Sequence, residues 1–271
     1  MKGSSSCRNN GKKRLAAAGA FLFWVAVWQA VHMVVGRDFL LASPLQTLER
    51  MLRFFGERVF WRSVWASALR VLWGFGLGIT LGAALALVCA KFSGVKTLFA
   101  PMLSVIRATP VVSFILLALI WMTTSRLPVF IAFLMVLPLA YANMLAGLET
   151  LDAQLLEMAR LFRLGHARVL RLIYLPALLP HIISACATGI GFAWKAVVAA
   201  EVISHPALSM GRQIHRARIY FQVGDLFAWT LTVIIMSVAL EKAVVLALRG
   251  LEHRLLAPQR DGRQKGGGEN A

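Results

Sequence analysis

Six apolar runs of roughly 20 residues each constrain the fold of this chain more than any other feature of its sequence. Short segments that hold most of the charged side chains separate them. A helix of this length crosses the hydrocarbon core of a bilayer and satisfies its own backbone hydrogen bonds. The sequence therefore predicts an all-α integral membrane protein with about six transmembrane helices, over residues 15–35, 69–90, 98–122, 128–148, 182–203 and 226–248.

The charged residues are few and mostly basic. The chain is 59% hydrophobic and 15% charged, and its formal net charge is +17; a soluble domain carries about 25% charged residues. Because the basic residues lie mostly between the apolar runs, we interpret them as orienting the chain and contacting lipid headgroups rather than nucleic acid. Cys7, Cys89 and Cys186 are far apart and predict neither a disulfide framework nor a metal site.

The distribution of lysine predicts the orientation in the membrane. Lys residues occur in both tails and in the loop between the second and third spans, but in none of the segments predicted to lie outside, although those do contain Arg. Basic loops favour the cytoplasmic side. We expect a cell inner or plasma membrane protein with both termini cytoplasmic. Its predicted parts are a disordered basic tail (1–14), the first span with an outer segment (15–66), a core (67–248) and a basic tail (249–271).

The outer segment, residues 44–65, has its own periodicity. Leu45, Leu48, Leu52, Phe55 and Val59 recur at three- to four-residue spacing with charged residues between them. This spacing predicts an amphipathic helix on the outer surface of the membrane.

Glycines and prolines mark special positions within the spans. Gly74, Gly78 and Gly82 recur every fourth residue, which favours close packing of another helix against that face. Pro110 and Pro138 each remove a backbone donor, so we expect them to kink the third and fourth spans. Kinks at membrane depth need protein or a water-filled cavity beside them, which hints at a pathway.

The sequence contains no recognisable catalytic constellation. It has no phosphate-binding GxxxxGK[ST] motif, no HExxH zinc motif and no GxSxG nucleophile motif. The six His are scattered, and the acidic residues form no cluster within a span. We therefore predict no catalytic residues, no metal site and no cofactor bound by this chain.

The loop at 149–181 does not read like a linker. It has no Pro and one Gly between positions 152 and 172, and it is rich in helix-forming residues. Its apolar and basic positions fall on different faces of a helix, at Leu155, Met158, Ala159 and Phe162 and at Arg160, Arg163, Arg168 and Arg171. Such a loop suits docking of a partner protein, and it equally suits a helix lying on anionic lipid.

The loop resembles the EAA loop of ABC importer permeases. That loop has a Glu-Ala-Ala start with Leu-Pro ending nineteen residues after the Glu, as Glu157 and Pro176 do here. The stretches "SALRVLWGFGLGITLG", "IRATPVVSFILLALIW", "GFAWKAVVAAEVI" and "LFAWTLTVIIMSVALEK" are similar to permeases of the nitrate/sulfonate/taurine group. The likeness covers roughly residues 67–248 and implies the type I ABC importer permease core.

The resemblance implies an assembly and a mechanism. The permease would form a homodimer, each copy would bind one ABC ATP-binding subunit, and a periplasmic or extracellular solute-binding protein would deliver a small anion. ATP would be used by the partner subunit. A short coupling helix around 157–165 would seat in the ATPase, and the resemblance assigns the coupling loop to Glu157, Met158, Ala159, Arg163, Gly165, Leu175 and Pro176. Glu157 is expected to cap or pair at the start of this helix, and Ala159 to lie close to the ATPase.

One departure from the family pattern lies in this loop. Members usually have Gly six residues after the Glu, where this chain has Arg163, and Gly165 follows two residues later. We expect Gly165 to provide the turn between the two loop helices.

The translocation path candidates are Arg107, Pro110, Trp194, Lys195 and Glu201. Lys195 lies about 20 Å into the fifth span, where a basic residue costs roughly 2.5–3.5 kcal/mol and must face a polar partner or a hydrated cavity. It forms either a structural pair with a carboxylate or helix carbonyls, or part of a path for an anion, with Trp194 shaping the wall. The competing class is a self-sufficient carrier or channel, which would need intramembrane charge pairs or a polar pore.

Overall fold

The computed structural model describes the backbone of residues 5–265 and the side chains of residues 16 and 18–250, except those of 153 and 166. Within this part of the chain every regular element is helical, which confirms the predicted all-α fold. The elements are α1 (Ser5–Val35), α2 (Pro44–Phe54), α3 (Arg58–Lys91), α4 (Ser93–Ala108), α5 (Val111–Ala118), α6 (Leu127–Glu149), α7 (Ala153–Leu161), α8 (His166–Val169), a π-helical turn (Leu170–Tyr174), α9 (Leu175–Ser204), α10 (Met210–Ile219) and α11 (Val223–Lys265).

Among the described residues, five helical stretches are long and apolar enough to cross a membrane. They are Ala18–Val35, α3, α6, Ala167–Ser204 and Val223–Gly250. A sixth span is added if the bent pair of α4 and α5 counts as one. This agrees with the six spans predicted from the sequence.

The third predicted span, 98–122, is not a single helix. α4 ends at Ala108, α5 begins at Val111, and the two helices meet at an angle of 101°. Thr109, before Pro110, is extended with ψ 131°, because a residue that precedes proline is pushed out of the α region. The expected kink at Pro110 is therefore a full break. α6 continues as one helix through Pro138.

The first and last helices are longer than the apolar runs that they contain. α1 begins at Ser5 and α11 continues to Lys265. Residues 5–14 of the tail predicted to be disordered are thus helical in this structure, while residues 1–4 and 266–271 lie outside the described residues. Once a helix is nucleated in the apolar run, each further residue adds a hydrogen bond, and Lys and Arg are good helix formers.

The outer segment 44–65 contains a helix, but a shorter one than predicted. α2 starts with a capping box, in which the Ser43 hydroxyl accepts from the Gln46 N–H and the Gln46 side chain accepts from the Ser43 N–H. α2 ends at Phe54, and the spanning helix α3 already begins at Arg58. Phe54 is buried because its ring packs against Trp229, with 5.2 Å between ring centroids. The five apolar positions predicted from periodicity are all exposed.

The chain forms two compact units. One comprises the chain up to Trp61 together with Gln213–Val233, and the other comprises Arg62–Arg212 together with the chain from Ile234. In the second unit α6 and α9 pack together. Buried side chains collect in two clusters there, one around Leu137, Tyr141 and Leu178 and one around Ile131 and Ala196.

The three spaced glycines of α3 lie against α6. A Cβ atom added at Gly78 would lie 2.6 Å from the Val136 Cβ, and one added at Gly82 would lie 2.6 Å from the Leu137 carbonyl oxygen. Gly74 meets α6 in the same way, whereas Gly76, on another face, has nothing within 4 Å. Only a residue without a side chain lets the two backbones approach so closely.

Candidate functional site

The loop between α6 and α9 begins with the short helix α7. Its N-cap is Asp152, whose carboxylate accepts a hydrogen bond of 2.8 Å from the Gln154 N–H. The helix therefore begins at Ala153, earlier than the predicted start around Glu157. Glu157 lies in the middle of α7 and is exposed, so the expectation that it caps the helix is wrong. A cap must stand just before the first helical residue and carry a short polar side chain, as Asp152 does.

The turn that ends α7 is made by Arg163, not by Gly165. Arg163 has φ 48°, in the left-handed region, and Gly165 does not have a positive φ. The Leu164 N–H donates to the Ala159 carbonyl at 2.9 Å, and the Arg163 N–H donates to the Arg160 carbonyl at 3.0 Å. This is a Schellman motif, in which the left-handed residue must follow the helix directly. The length of the helix therefore fixes the turn at 163, and the expected shift to Gly165 is wrong.

The faces of α7 are also arranged differently from the prediction. Ala159 is only 4% exposed and lies inside the loop, beside Leu164 and Val169. The side chains that stand out are Leu161 and Phe162, which are 81% and 71% exposed, together with the half-exposed Leu155 and Met158. In this structure Ala159 is therefore covered by its own loop, and its proximity to the ATPase stays a prediction.

The second half of the loop is continuous with the fifth span. From α8 the chain runs through the π-helical turn into α9 without a break, so the span begins well before the predicted position 182. Leu175 and Pro176 are partly buried in the first turn of α9, and the Leu175 N–H donates to the Leu170 carbonyl, five residues back. The ring of Pro176 would clash with the carbonyl four residues before it in a regular helix, and the wider turn relieves this.

Lys195 lies on an exposed face of α9. Its ammonium nitrogen is 5.9 Å from the centroid of the Phe192 ring, and the Phe192 side chain is also exposed. Among the described residues Lys195 has no carboxylate partner, so the predicted structural pair with a carboxylate is absent there. Trp194 is 2% exposed and points into the protein, so it does not share this face. Arg107 and Pro110 are exposed, at and near the break between α4 and α5.

Glu201 is fully buried, with 0% exposure, and it is held by hydrogen bonds within the chain. The Ser67 hydroxyl lies 2.8 and 2.7 Å from its two carboxylate oxygens. An Arg70 guanidinium nitrogen donates to it at 2.8 Å, and the Gly211 N–H donates at 3.2 Å. These donors occupy the carboxylate, so in this structure Glu201 joins parts of the chain and faces no open space. Its place on a translocation path stays a prediction.

The same cluster fixes the segment that follows α9. Arg70 also donates to the carbonyls of Ala207 and Leu208, at 3.2 and 3.3 Å, and the Ser67 hydroxyl accepts from the Met210 N–H at 3.1 Å. We call Ser67, Arg70 and Glu201 the clasp, because together they join α3 to the end of α9 and to the start of α10. The sequence reasoning missed Ser67 and Arg70. The available signal was Arg70 itself, because an arginine near the start of an apolar run requires a partner.

Comparisons with known proteins agree with this architecture. Residues 78–256 match the family described as "Binding-protein-dependent transport system inner membrane component". A probable ABC transporter permease protein of Brucella melitensis is 26% identical over 78% of this chain and 86% of its own length. The taurine transport system permease protein of Escherichia coli is 24% identical over 84% of this chain and 83% of its own.

The putative aliphatic sulfonates transport permease protein of Bacillus subtilis is 28% identical over 86% of this chain and 83% of its own length. The family match covers Gly78 and Gly82 of α3, the α7 loop, Lys195 and most of α11. The chain therefore belongs to the family of inner membrane components of binding-protein-dependent transport systems.

Proposed function

We propose that two copies of this chain form the translocation path of an ATP-driven importer for a small anion. A separate ATP-binding subunit would hydrolyse ATP, and a solute-binding protein would deliver the substrate on the outer side. Family membership supports the permease role, and the names of the taurine and aliphatic sulfonate relatives favour a sulfonate-like anion. Both termini and the α7 loop would then face the cytoplasm, in keeping with the lysine distribution.

The observation that carries this proposal is the exposed apolar end of α7. Leu161 and Phe162 stand out from a loop that is otherwise basic. Large apolar side chains exposed side by side on a rigid helix end mark an interaction site. A groove in the ATP-binding subunit would cover them, and a movement of that subunit would pass through α8 into α9 because the helical path is continuous.

Lys195 supports an anion as the substrate. An exposed ammonium group in the middle of a span costs roughly 2.5–3.5 kcal/mol against lipid. Covering this face with a second copy would remove Lys195 from lipid and leave its charge toward a shared, hydrated passage. An anion that passes there would meet one such charge from each copy.

The alternative of a self-sufficient carrier is less well supported. Such a carrier needs an intramembrane acid–base pair that can change partners. Glu201 is held by the clasp, and Lys195 has no carboxylate partner in the described part of the chain. The surroundings of Glu201 and Lys195 therefore favour a transporter that is driven by ATP hydrolysis on a separate subunit.

Copurification tests whether Leu161 and Phe162, which we call the docking surface, contact the ATP-binding subunit. In the permease with Leu161→Gln and Phe162→Gln, we expect retention of the ATP-binding subunit to fall several-fold, because the apolar contact is lost. Leu172→Gln is the matched control, since Leu172 is also exposed but lies in the π-helical turn rather than on α7. Equal retention by the double variant and the wild type, with both proteins monodisperse, would refute the assignment.

A further inference from the structure

The face of α9 that carries Lys195 also carries Thr188 and Gly191. The three residues follow one another at spacings of three and four, so at 100° per residue they lie within a sector of about 60°. Thr188 and Lys195 are exposed, and Gly191 is partly buried between them. At 1.5 Å per residue they lie about 9 to 20 Å inside the apolar run that begins at 182, where lipid headgroups do not reach.

Thr188 differs from the threonines in the other candidate spans. Each of those donates its hydroxyl to a carbonyl three or four residues before it, as seen at Thr80, Thr97, Thr109, Thr150, Thr230 and Thr232. Such a bond is usual because hydrocarbon offers a hydroxyl no other partner. The Thr188 hydroxyl makes no hydrogen bond within the described part of the chain. It is therefore available to a group from outside the chain.

Gly191 leaves open space between Thr188 and Lys195. A Cβ atom added at Gly191 meets nothing within 4 Å, whereas one added at Gly189 lies 3.4 Å from the Phe75 ring. A glycine inside a helix lowers stability relative to alanine. No neighbour in the described chain uses the space at Gly191, so this space too is available to a group from outside.

The Lys195 side chain leans toward this space. In a helix the Cα–Cβ bonds tilt toward the N-terminus, and the Lys195 ammonium nitrogen lies 5.9 Å from the ring centroid of Phe192, three residues earlier. The Cα atoms of Thr188 and Lys195 are about 10 Å apart along the helix axis. The ammonium group and the hydroxyl group therefore lie toward the two ends of one gap, with Gly191 as its floor.

We propose that Thr188, Gly191 and Lys195 form a subsite for one oxyanion, a sulfonate or a carboxylate, on the translocation path. The ammonium group balances the charge of the anion, the hydroxyl donates a hydrogen bond to it, and the missing side chain at Gly191 leaves room for its oxygens. Lipid chains would satisfy neither donor. The subsite rests on the proposed function, because it places the path along this face of α9.

Cysteine labelling tests the charge and the hydration of this face without a transport assay. Thr188→Cys is introduced into the permease after its native Cys7, Cys89 and Cys186 are replaced by Ala, and the protein is purified with the subunits that accompany it. A thiol reacts as its thiolate, which forms in water and not in hydrocarbon. We expect the anionic reagent 2-sulfonatoethyl methanethiosulfonate to label position 188 faster than the cationic 2-(trimethylammonium)ethyl methanethiosulfonate.

The charge of Lys195 should cause this preference. Adding Lys195→Met should lower the ratio of the two labelling rates by about ten-fold, because a unit charge about 6 Å away in water changes each rate about three-fold, in opposite directions. Thr80→Cys is the matched control, since Thr80 is also exposed within a span but its hydroxyl bonds the Gly76 carbonyl. Its labelling should show no preference that depends on Lys195.

Two further measurements test the space and the anion. Gly191→Leu fills the gap and should slow the labelling of position 188 by both reagents. Gly76→Leu is the control, because a Cβ atom there also meets nothing within 4 Å, and it should leave the labelling unchanged. Methanesulfonate should protect position 188 from the anionic reagent, whereas the uncharged dimethyl sulfone, which has a similar shape, should not.

The subsite is overturned if position 188 is not labelled, if methanesulfonate gives no protection, or if the reagent preference survives Lys195→Met. Glu241 is exposed within the candidate span Val223–Gly250. A preference that appears only after Glu241→Gln would show that this carboxylate of a second copy pairs with Lys195 instead. A complex that shows the expected labelling but no ATP-driven uptake would refute the proposed function, and uptake without labelling would refute the subsite alone.

Discussion

Arg70 and Lys195 carry the same charge within apolar helices, but their surroundings differ. The Arg70 side chain is 14% exposed and pairs with the fully buried Glu201 at 2.8 Å. Lys195 is exposed and lies beside an exposed aromatic ring. The first charge is paired within the chain, and the second has no carboxylate partner in the described part of it. Sequence position alone does not distinguish these cases, because the partner of Arg70 lies 131 residues further along the chain.

The clasp gives a prediction for stability. Glu201→Gln leaves the Arg70 guanidinium buried without a counter-charge, which costs about 3–5 kcal/mol when one partner of a buried pair is removed. We therefore expect a clearly lower unfolding midpoint in detergent at a fixed scan rate. Adding Arg70→Met removes the unpaired charge and should restore much of the loss. If the double variant is no more stable than Glu201→Gln, the ion pair is not the source of the effect.

Arg163 shows that residue preferences alone do not predict the position of the turn after α7. Glycine is the usual left-handed residue after a helix, so Gly165 was the natural candidate for the turn. The turn lies at Arg163 instead, because α7 is capped at Asp152 and ends at Leu161, which places the left-handed residue directly after Phe162. Arg163 accepts an unfavourable backbone conformation there. The burial of Ala159 was missed for a similar reason, since its neighbours come from the other half of the loop.

At the scale of the helices, hydropathy predicted the spans and their order, because the bilayer imposes one length on every helix that crosses it. It did not predict where helices end. α4 and α5 divide one apolar run at Pro110, and the fifth span begins in the basic loop. Hydropathy averages over about 20 residues, whereas a proline or a cap acts on a single one.

Glycine substitutions on α3 test the helix contact. Gly82→Ala brings a Cβ atom to 2.6 Å from the Leu137 carbonyl oxygen, so α3 and α6 must separate. We expect a loss of about 1–3 kcal/mol. Gly76→Ala is the same change on the same helix with nothing within 4 Å, and it should be neutral or stabilising by up to about 1 kcal/mol. Thermal unfolding of the two variants side by side measures the difference. Similar effects of both changes would contradict a close contact.

For the whole molecule, the family and the fold class followed from the sequence because both rest on long, regular patterns. The site residues followed only in part. The loop was located correctly, while its inner and outer faces, its cap and its turn were not, since each depends on contacts between residues far apart in the chain. Of the predicted path residues, Arg107, Pro110 and Lys195 are exposed, whereas Trp194 and Glu201 are buried in this structure, so the first three are the better candidates.

Lys195→Met tests the path in the reconstituted complex. The charge has no carboxylate partner in the described part of the chain, so its removal leaves no buried ion unpaired. We expect normal assembly and basal ATP hydrolysis but weakened uptake of an anionic solute. Lys195→Arg, which keeps the charge, should retain more uptake than Lys195→Met. Unchanged uptake in Lys195→Met would exclude a role in the path, and loss of assembly would indicate a structural role instead.

The π-helical turn at Leu170–Tyr174 sets the rotational phase between the loop and the span. It holds one residue more than a regular turn, so side chains before it are rotated by about 100° relative to an unbroken α-helix. Helical periodicity counted across the turn therefore assigns Arg168 to the wrong side of the span. Deleting one residue here would restore a regular ladder and swing α8 around the helix axis by the same angle. A single-codon deletion in a related gene can thus change the direction in which the loop projects, without any substitution in the loop itself.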